Sequence, residues 1–309
     1  MATLGASHVT QSGVNSAGFI PEVWSDEIIA AYKKSLVAAN LFKKMNMKGK
    51  KGDVVHFPAP ARGAASAKSA NTGGTMQAES GSEKTVTINK HYEYSRLIED
   101  FAEVQALSSL RRFYTDDAGY ALAKQIDTDL IQLGRGAQGG TAGDADYDKA
   151  YLAGDGSTLY VDGTNVGTAI TDAGLRRAIQ RLDDSDVPMD GRFLIVPPST
   201  RNTMLGLARF TEQAFTGETG GGNSIRNGMI GDVYGVKVYV TTNADTATTN
   251  TSRIALLAHP EAFVLVEQLG VRVQTQYKQE FLGTLLTADT LYGVGELRDT
   301  SAVALAVPA

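Results

Sequence analysis

The segment between residues 59 and 82 is the feature that most constrains the fold of this chain. It is rich in Ala, Gly, Ser and Thr, includes the pair Gly73-Gly74, and has almost no large apolar side chain. Such a stretch cannot bury enough apolar surface to offset the conformational entropy that ordering costs. Loops of this length without secondary structure are uncommon inside a compact domain, so such a loop would argue against assigning strands on both sides of it. A projecting arm that another subunit covers removes this objection.

The sequence on both sides of this segment predicts strands. Residues 53–58 are a β-branched and aromatic run, and apolar residues from Val86 to Ile98 fall on every second position, interrupted by Lys90 and Arg96. Alternation with a period of two is typical of a half-exposed strand. We therefore predict an extended hairpin arm, in which residues 86–98 form one long strand.

Helical periodicity is strongest at residues 107–133, where apolar side chains recur at steps of three and four. A helix of this length spans about 40 Å and suits a spine on which other parts rest. An earlier helix is predicted from Asp26 to about Met45, with Ser25 as its N-cap. The residues before it show no periodicity, which predicts a flexible N-terminal arm.

The rest of the chain predicts a mixed domain. Thr171 or Asp172 can cap a helix, residues 193–196 read as a strand buried on both faces, and Ser199 can cap another helix. Further strands are predicted at residues 233–242, 254–257, 262–267, 271–277, 284–294 and 302–307. This order of helices and strands indicates an α+β fold with two lobes.

Charge and composition exclude several classes of protein. The chain has 29 basic and 34 acidic residues, a net charge of −5, so a free-standing nucleic-acid binder is not indicated. Five lysines between residues 43 and 51 are either a solvated turn or a patch that faces an acidic partner or nucleic acid. With no cysteine, disulfides and thiol chemistry are excluded. Neither a membrane span nor a secretory signal is recognisable.

No arrangement of residues predicts catalysis. The four histidines lack metal-ligand spacing, and neither a nucleophile elbow nor a phosphate-binding loop is present; Gly293-Val294-Gly295 lacks the third glycine of a dinucleotide fingerprint. Asp127 and Asp129 point to different faces of a helix. Asp183, Asp184 and Asp186 lie in a predicted turn, where Asp is common. We therefore expect no enzyme activity, no catalytic residue, no metal and no cofactor.

Five strings in the chain resemble segments of one known family. They are FIPEVWSDEI at 19–28, KGDVVHFP at 51–58, NGMIGDVYGVKVYVTTN at 227–243, AHPEAFVLVEQ at 258–268 and LYGVGELRDTSAVAL at 291–305. In their order, and in the order of arm, helix, long hairpin, spine helix and mixed domain, they resemble the major capsid proteins of tailed bacteriophages, with the Hong Kong 97-type fold.

The resemblance implies a division of the chain into named parts. These are an N-terminal arm at 1–25, an N-terminal helix at 26–50, an extended hairpin called the E-loop at 51–90, a peripheral domain at 91–159 and 251–286 with a surface insertion at 136–159, and an axial domain at 160–250 and 287–309.

The resemblance also implies partners. Copies of the subunit would form pentamers and hexamers of an icosahedral shell around double-stranded DNA, in a virion capsid assembled in the host cytoplasm. Only about 20 residues precede the first predicted helix, which implies a separate scaffolding protein; portal and cement proteins and non-specifically held DNA are further partners. Candidate inter-subunit contacts are Val55, Phe57, Arg62, Lys68, Val86 and Ile88. No partner for a covalent cross-link from Lys68 is identifiable.

Two other readings stay open. An encapsulin-like compartment would share the fold and hold a cargo enzyme instead of a genome. A soluble two-lobed enzyme or ligand-binding protein would place a site between the lobes, using Asp183, Asp184 and Asp186.

Overall fold

The fold is taken from a computed structural model. It describes residues 36–60, 63–74, 76–77, 81–100, 110–140, 147, 149–161, 163–207, 232–247 and 252–309. The predicted N-terminal arm, and the predicted first helix as far as residue 35, lie outside the described residues.

Four helices, three 3₁₀ turns and twelve strands make up the described chain. The helices are α1 (Ala38–Leu41), α2 (Leu110–Gln132), α3 (Asp172–Asp184) and α4 (Pro198–Leu205), and the 3₁₀ turns are Leu133–Gly136, Gln279–Phe281 and Asp299–Ser301. The strands are β1 (Lys43–Asn46), β2 (Val54–Pro60), β3 (Gly81–Thr87), β4 (Lys90–Glu99), β5 (Tyr151–Leu152), β6 (Phe193–Val196), β7 (Asp232–Val233), β8 (Val236–Val240), β9 (Arg253–Ala258), β10 (Phe263–Lys278), β11 (Gly283–Glu296) and β12 (Ala302–Val307).

A four-stranded sheet carries the long helix. Its order is β1–β10–β11–β4, and β10 and β11 are antiparallel strands of 16 and 14 residues. Ala118 and Leu122 of α2 pack against Ala288 on one face of this sheet. The predicted spine is confirmed from Leu110 to Gln132.

A six-stranded sheet, in the order β5–β12–β9–β6–β8–β7, forms the second layer. Every residue of β6 and β12 is buried. This confirms the burial predicted for residues 193–196 and the strand predicted at 302–307. α3 packs on this sheet through an apolar stripe that includes Leu175 and Leu182. The predicted cap is confirmed, because Gly174 N donates to Thr171 Oγ1 at 3.1 Å.

The two sheets share one core instead of enclosing a cleft. Phe42 packs against Phe193 of the six-stranded sheet, with ring centroids 5.1 Å apart, and against Phe263 of the four-stranded sheet, at 4.9 Å. Leu130 and Tyr292 belong to the same buried cluster. Aromatic pairs of this kind hold the two layers together.

The end of the first predicted helix differs from expectation. α1 ends at Leu41, and residues 43–46 form β1, parallel to β10. Lys43 N donates to the Pro260 carbonyl at 3.1 Å, so backbone pairing with the sheet replaces the helical turn. Tertiary contacts override local helical periodicity here, because Phe42 is drawn into the shared core.

Two predicted strands are each divided, and two others are joined. Residues 86–98 do not form one strand: β3 pairs with β2, and β4 pairs with β11. Residues 233–242 contain a tight hairpin, in which Tyr234 and Gly235 adopt φ of 53° and 78°. Left-handed residues at both central positions are typical of a two-residue turn. Residues 262–277 fall in one strand, β10, with irregular register near Leu269.

Both sheets contain strands from the expected peripheral and axial parts. β5 and β9, expected in the peripheral part, lie beside β12 in the six-stranded sheet, and β11 lies wholly in the four-stranded sheet. Within the expected surface insertion at 136–159, Tyr147 and Ala150 are buried against the six-stranded sheet, in a cluster with Ile254. Tyr160, the first residue of the expected axial domain, belongs to the same cluster. Gly and Asp are frequent around Tyr147 and gave no indication of its burial.

A buried carboxylate fixes α1 to the spine. Asp127 Oδ1 accepts from Ala38 N at 2.7 Å, and Asp127 Oδ2 accepts from Asn243 Nδ2 at 3.0 Å. The side chain is buried, and this burial raises the pKa of Asp127 above its ordinary value. One carboxyl group thus joins α1, α2 and the loop after β8.

We expect Asp127→Ala to lower the free energy of unfolding by about 3 kcal/mol, because it removes the acceptor of the buried Ala38 amide and one of the two acceptors of the buried Asn243 side chain. Asp127→Asn keeps an acceptor oxygen and should cost less than about half of that. Chemical denaturation measures both. Asp184→Ala is the control, because Asp184 is exposed at the end of α3. Equal losses for the Ala variants at 127 and 184 would contradict the assignment.

Candidate inter-subunit surface of the projecting hairpin

The predicted hairpin is present as a separate two-stranded sheet. β2 and β3 are antiparallel, from Val54 opposite Thr87 to Pro60 opposite Gly81. Beyond them, residues 63–74 and 76–77 have no regular structure, and Ala64 and Gln77 hydrogen-bond to each other across the arm. We call these residues beyond the strands the distal half of the hairpin.

The other end of the hairpin, which we call the root, carries Val55, Val86 and Ile88. Their exposed fractions are 8%, 2% and 7%. All three belong to an apolar cluster with Met47, and with Val264 and Val266 of β10. Burying three aliphatic side chains contributes several kcal/mol, so the root is anchored in its own chain.

The root lies on β11 because two glycines leave room for it. A Cβ on Gly293 would be 2.6 Å from the Thr87 carbonyl oxygen, and one on Gly295 would be 2.5 Å from a methyl group of Val86. Sequence reasoning considered Gly293-Val294-Gly295 only as a failed cofactor motif. The available signal was two glycines at a spacing of two inside a strand pattern, which marks close approach of another backbone.

The predicted contact residues therefore fall into different classes. Val55, Val86 and Ile88, predicted from the resemblance as inter-subunit contacts, are buried by their own chain. Phe57 is half-buried beside the same cluster, and Lys68 is exposed on the distal half. Arg62 lies outside the described residues. Because the root is buried within its own subunit, the distal half is the part of the arm that is accessible to a partner.

The distal half has too few apolar side chains to bury a core of its own. Nearly all its side chains are small or polar, and every described residue in it is exposed. Met76, its one large apolar residue, has an exposed fraction of 97%. An ordered arm with no core of its own needs contacts from elsewhere to offset its entropy.

A second group of exposed apolar side chains lies at the far end of the long strands β10 and β11, and the sequence analysis did not identify it. It consists of Leu97, Val271, Val273, Tyr277, Phe281 and Leu282. Leu282 adopts a left-handed conformation with φ of 46°, which is unusual for a residue with a Cβ. Val273 and Tyr277 lie on one face of the sheet and Leu97 on the other, so these side chains do not form one continuous patch.

The charged motifs form no enclosed site. The lysines at 43, 44, 48, 50 and 51 are all exposed, on β1 and the turn that follows it. Asp183 forms an ion pair with Arg192 at 2.7 Å, and Asp184 and Asp186 are exposed. These aspartates therefore do not line a cleft between two lobes.

Among the residues that the structure describes, no group of three or more His, Asp or Glu side chains is placed to hold a metal ion. No helix among them is long and apolar enough to cross a membrane.

Comparisons with known proteins agree with one another. A family model described as phage capsid protein matches residues 83–305. The fold is similar to a solved chain of Mycobacterium phage Che8, at 23% identity and a TM-score of 0.72, covering 93% of this chain and 97% of that one. It is also similar to the capsid of the cyanophage P-SCSP1u, at 18% identity and a TM-score of 0.76, with 99% and 98% covered. No curated protein sequence matches the chain.

Proposed function

The chain belongs to the phage capsid protein family and has the Hong Kong 97-type fold, and from this premise we propose that its copies build the closed shell of a tailed-phage virion. In this proposal the copies form pentamers and hexamers of an icosahedral capsid around double-stranded DNA. The role is structural, and catalysis has no part in it.

One observation carries the proposal beyond the family. The hairpin root is buried in its own chain, whereas the distal half at 63–77 has no cover. We infer that the distal half lies on a neighbouring subunit, with Lys68 in the contact. Such a contact joins two different surfaces of the same subunit, and heterologous contacts of this kind close into rings when the rotation permits.

Further partners follow from the proposed shell. We propose a separate scaffolding protein during assembly in the host cytoplasm, a portal at one vertex, and non-specific contact with the packaged DNA. A net charge of −5 suits a lining that tolerates a dense polyanion without binding it tightly.

The experiment that tests the proposal is electron microscopy of the purified protein, alone and co-expressed with candidate scaffolding proteins. Uniform icosahedral particles are the expected result, and DNA packaging would distinguish a virion shell from a cargo compartment. Persistent monomers under every assembly condition would contradict it.

A further inference from the structure

The end of β11 places a carboxyl group between the hairpin root and the body of the subunit. Glu296 is the last residue of β11, and the preceding residue, Gly295, contacts Val86 of the root. Glu296 Oε1 is buried and has no hydrogen-bond partner among the described residues. A buried carboxylate oxygen without a donor is costly when the group is charged.

A polar cavity of about 620 Å³ adjoins Glu296, between β3 and the end of α2. The charged groups around Glu296 are Glu83 and Lys84 on β3, Lys90 on β4, Asp129 on α2, Arg135 on the 3₁₀ turn after α2, and Asp299 on the 3₁₀ turn after β11. Water in this cavity could solvate Glu296 if β3 moved away from β11.

Most of these charges are engaged with other partners. The pairs are Lys90 with Asp129 at 3.0 Å, Arg135 with Asp245 at 2.9 Å, and Glu83 with His56 at 3.1 Å. Asp299 and Lys84 are the groups that act on Glu296: Asp299 by a hydrogen bond and by repulsion, and Lys84 by attraction.

Proton binding by Glu296 depends on how deeply its carboxyl group is buried. Burial, and after it Asp299, raises the pKa of Glu296 from 4.5 to about 7, against the weaker opposing effect of Lys84. A solvated Glu296 would have its ordinary pKa. By linkage, a state that exposes this carboxyl group becomes more populated as the pH rises from about 4.5 to about 7.

We propose that Glu296 is a proton-controlled latch on the hairpin root. When protonated, Glu296 donates a hydrogen bond to Asp299 and allows β3 to pack on β11. When ionised, it favours the state in which β3 lifts from β11 and water reaches the carboxylate. The latch acts within one subunit, so it can be tested whether or not shells form.

Hydrogen exchange of the β3 amides in the isolated full-length subunit tests the latch, after correction for the pH dependence of intrinsic exchange. We expect the opening equilibrium of β3 to rise about tenfold between about pH 5.5 and about pH 8.5, since one pKa unit is a factor of ten and partial exposure reduces the full shift. Glu296→Gln should stay closed at both values. Glu280→Gln, at an exposed turn, should behave as the wild type.

A second variant keeps the test decisive if the Gln variant does not fold. Lys84→Met removes the attracting cation from an exposed position on β3. It should move the midpoint of the pH-dependent opening to higher pH, because the pKa of Glu296 rises further without Lys84. No pH dependence in the wild type, the same dependence in Glu296→Gln, or an unmoved midpoint in Lys84→Met would each overturn the proposal.

Discussion

Replacement of residues 63–77 by a short Gly-Ser turn is expected to leave the subunit folded and to abolish shell assembly. The described residues among them, 63–74 and 76–77, are exposed, whereas the root residues Val55, Val86 and Ile88 keep their buried cluster. The free energy of unfolding should therefore change by less than about 1 kcal/mol, as for surface changes in general. In the proposed shell, loss of the distal half removes a contact from every copy, so the effect on assembly is repeated at every subunit.

Two measurements separate these effects. Chemical denaturation reports the stability of the subunit, and sedimentation velocity reports the amount of assembled particle. A version with Lys68→Ala alone serves as the milder control, and it should reduce assembly without abolishing it. Normal particles from the shortened chain would show that the distal half is not an inter-subunit element.

Gly293→Ala is expected to produce the second large effect, by acting on the other end of the same hairpin. The added Cβ would lie 2.6 Å from the Thr87 carbonyl and 3.1 Å from the Ile88 Cα, and neither is a flexible side-chain end. Backbone must shift, which costs about 3 kcal/mol for overpacking of this kind. The root should no longer pack against β11. Assembly should then fail, because the arm leaves the subunit at a different angle.

Gly119→Ala is the matched control for this substitution. A Cβ at Gly119 meets no atom within 4 Å, and the residue lies within α2, where Ala is favoured over Gly by about 1 kcal/mol. The control should therefore be as stable as the wild type or more so, and should assemble. Thermal and chemical unfolding of both variants measure the difference. Equal stability of the two would mean that the root does not rest on Gly293.

The parts of the fold that were predictable from sequence are those decided by local pattern. The buried strands β6 and β12 are continuous apolar runs, and α2 has an apolar stripe of helical period. The start of α3 could be placed at Thr171 or Asp172, because a side-chain oxygen there satisfies a free amide; the structure shows that Thr171 is the cap. Each of these signals lies within one segment of the chain.

The parts that were not predictable depend on residues far apart in sequence. β1 is a strand because residues 43–46 pair with β10, more than 200 residues later. Helical spacing in residues 38–42 gave no indication of that partner. Tyr147 and Tyr160 are buried for the same reason, since their cover comes from Ile254 and the β12 strand.

The candidate surface was predictable in outline and not in detail. The hairpin was predicted correctly because residues 59–82 lie between two strand patterns and cannot bury a core of their own. Apolar content alone suggested that Val55 and Val86 face a neighbour. It could not reveal that Gly293 and Gly295 let the root pack on its own β11.

A cryo-EM reconstruction of the assembled particle tests the central claim most directly, which is that one hairpin joins two subunits. We predict density in which Val55, Val86 and Ile88 rest on β10 and β11 of their own subunit, while residues 63–77 lie on an adjacent subunit. A shell in which the distal half folds back on its own chain, or in which the root rests on a neighbour, would contradict it.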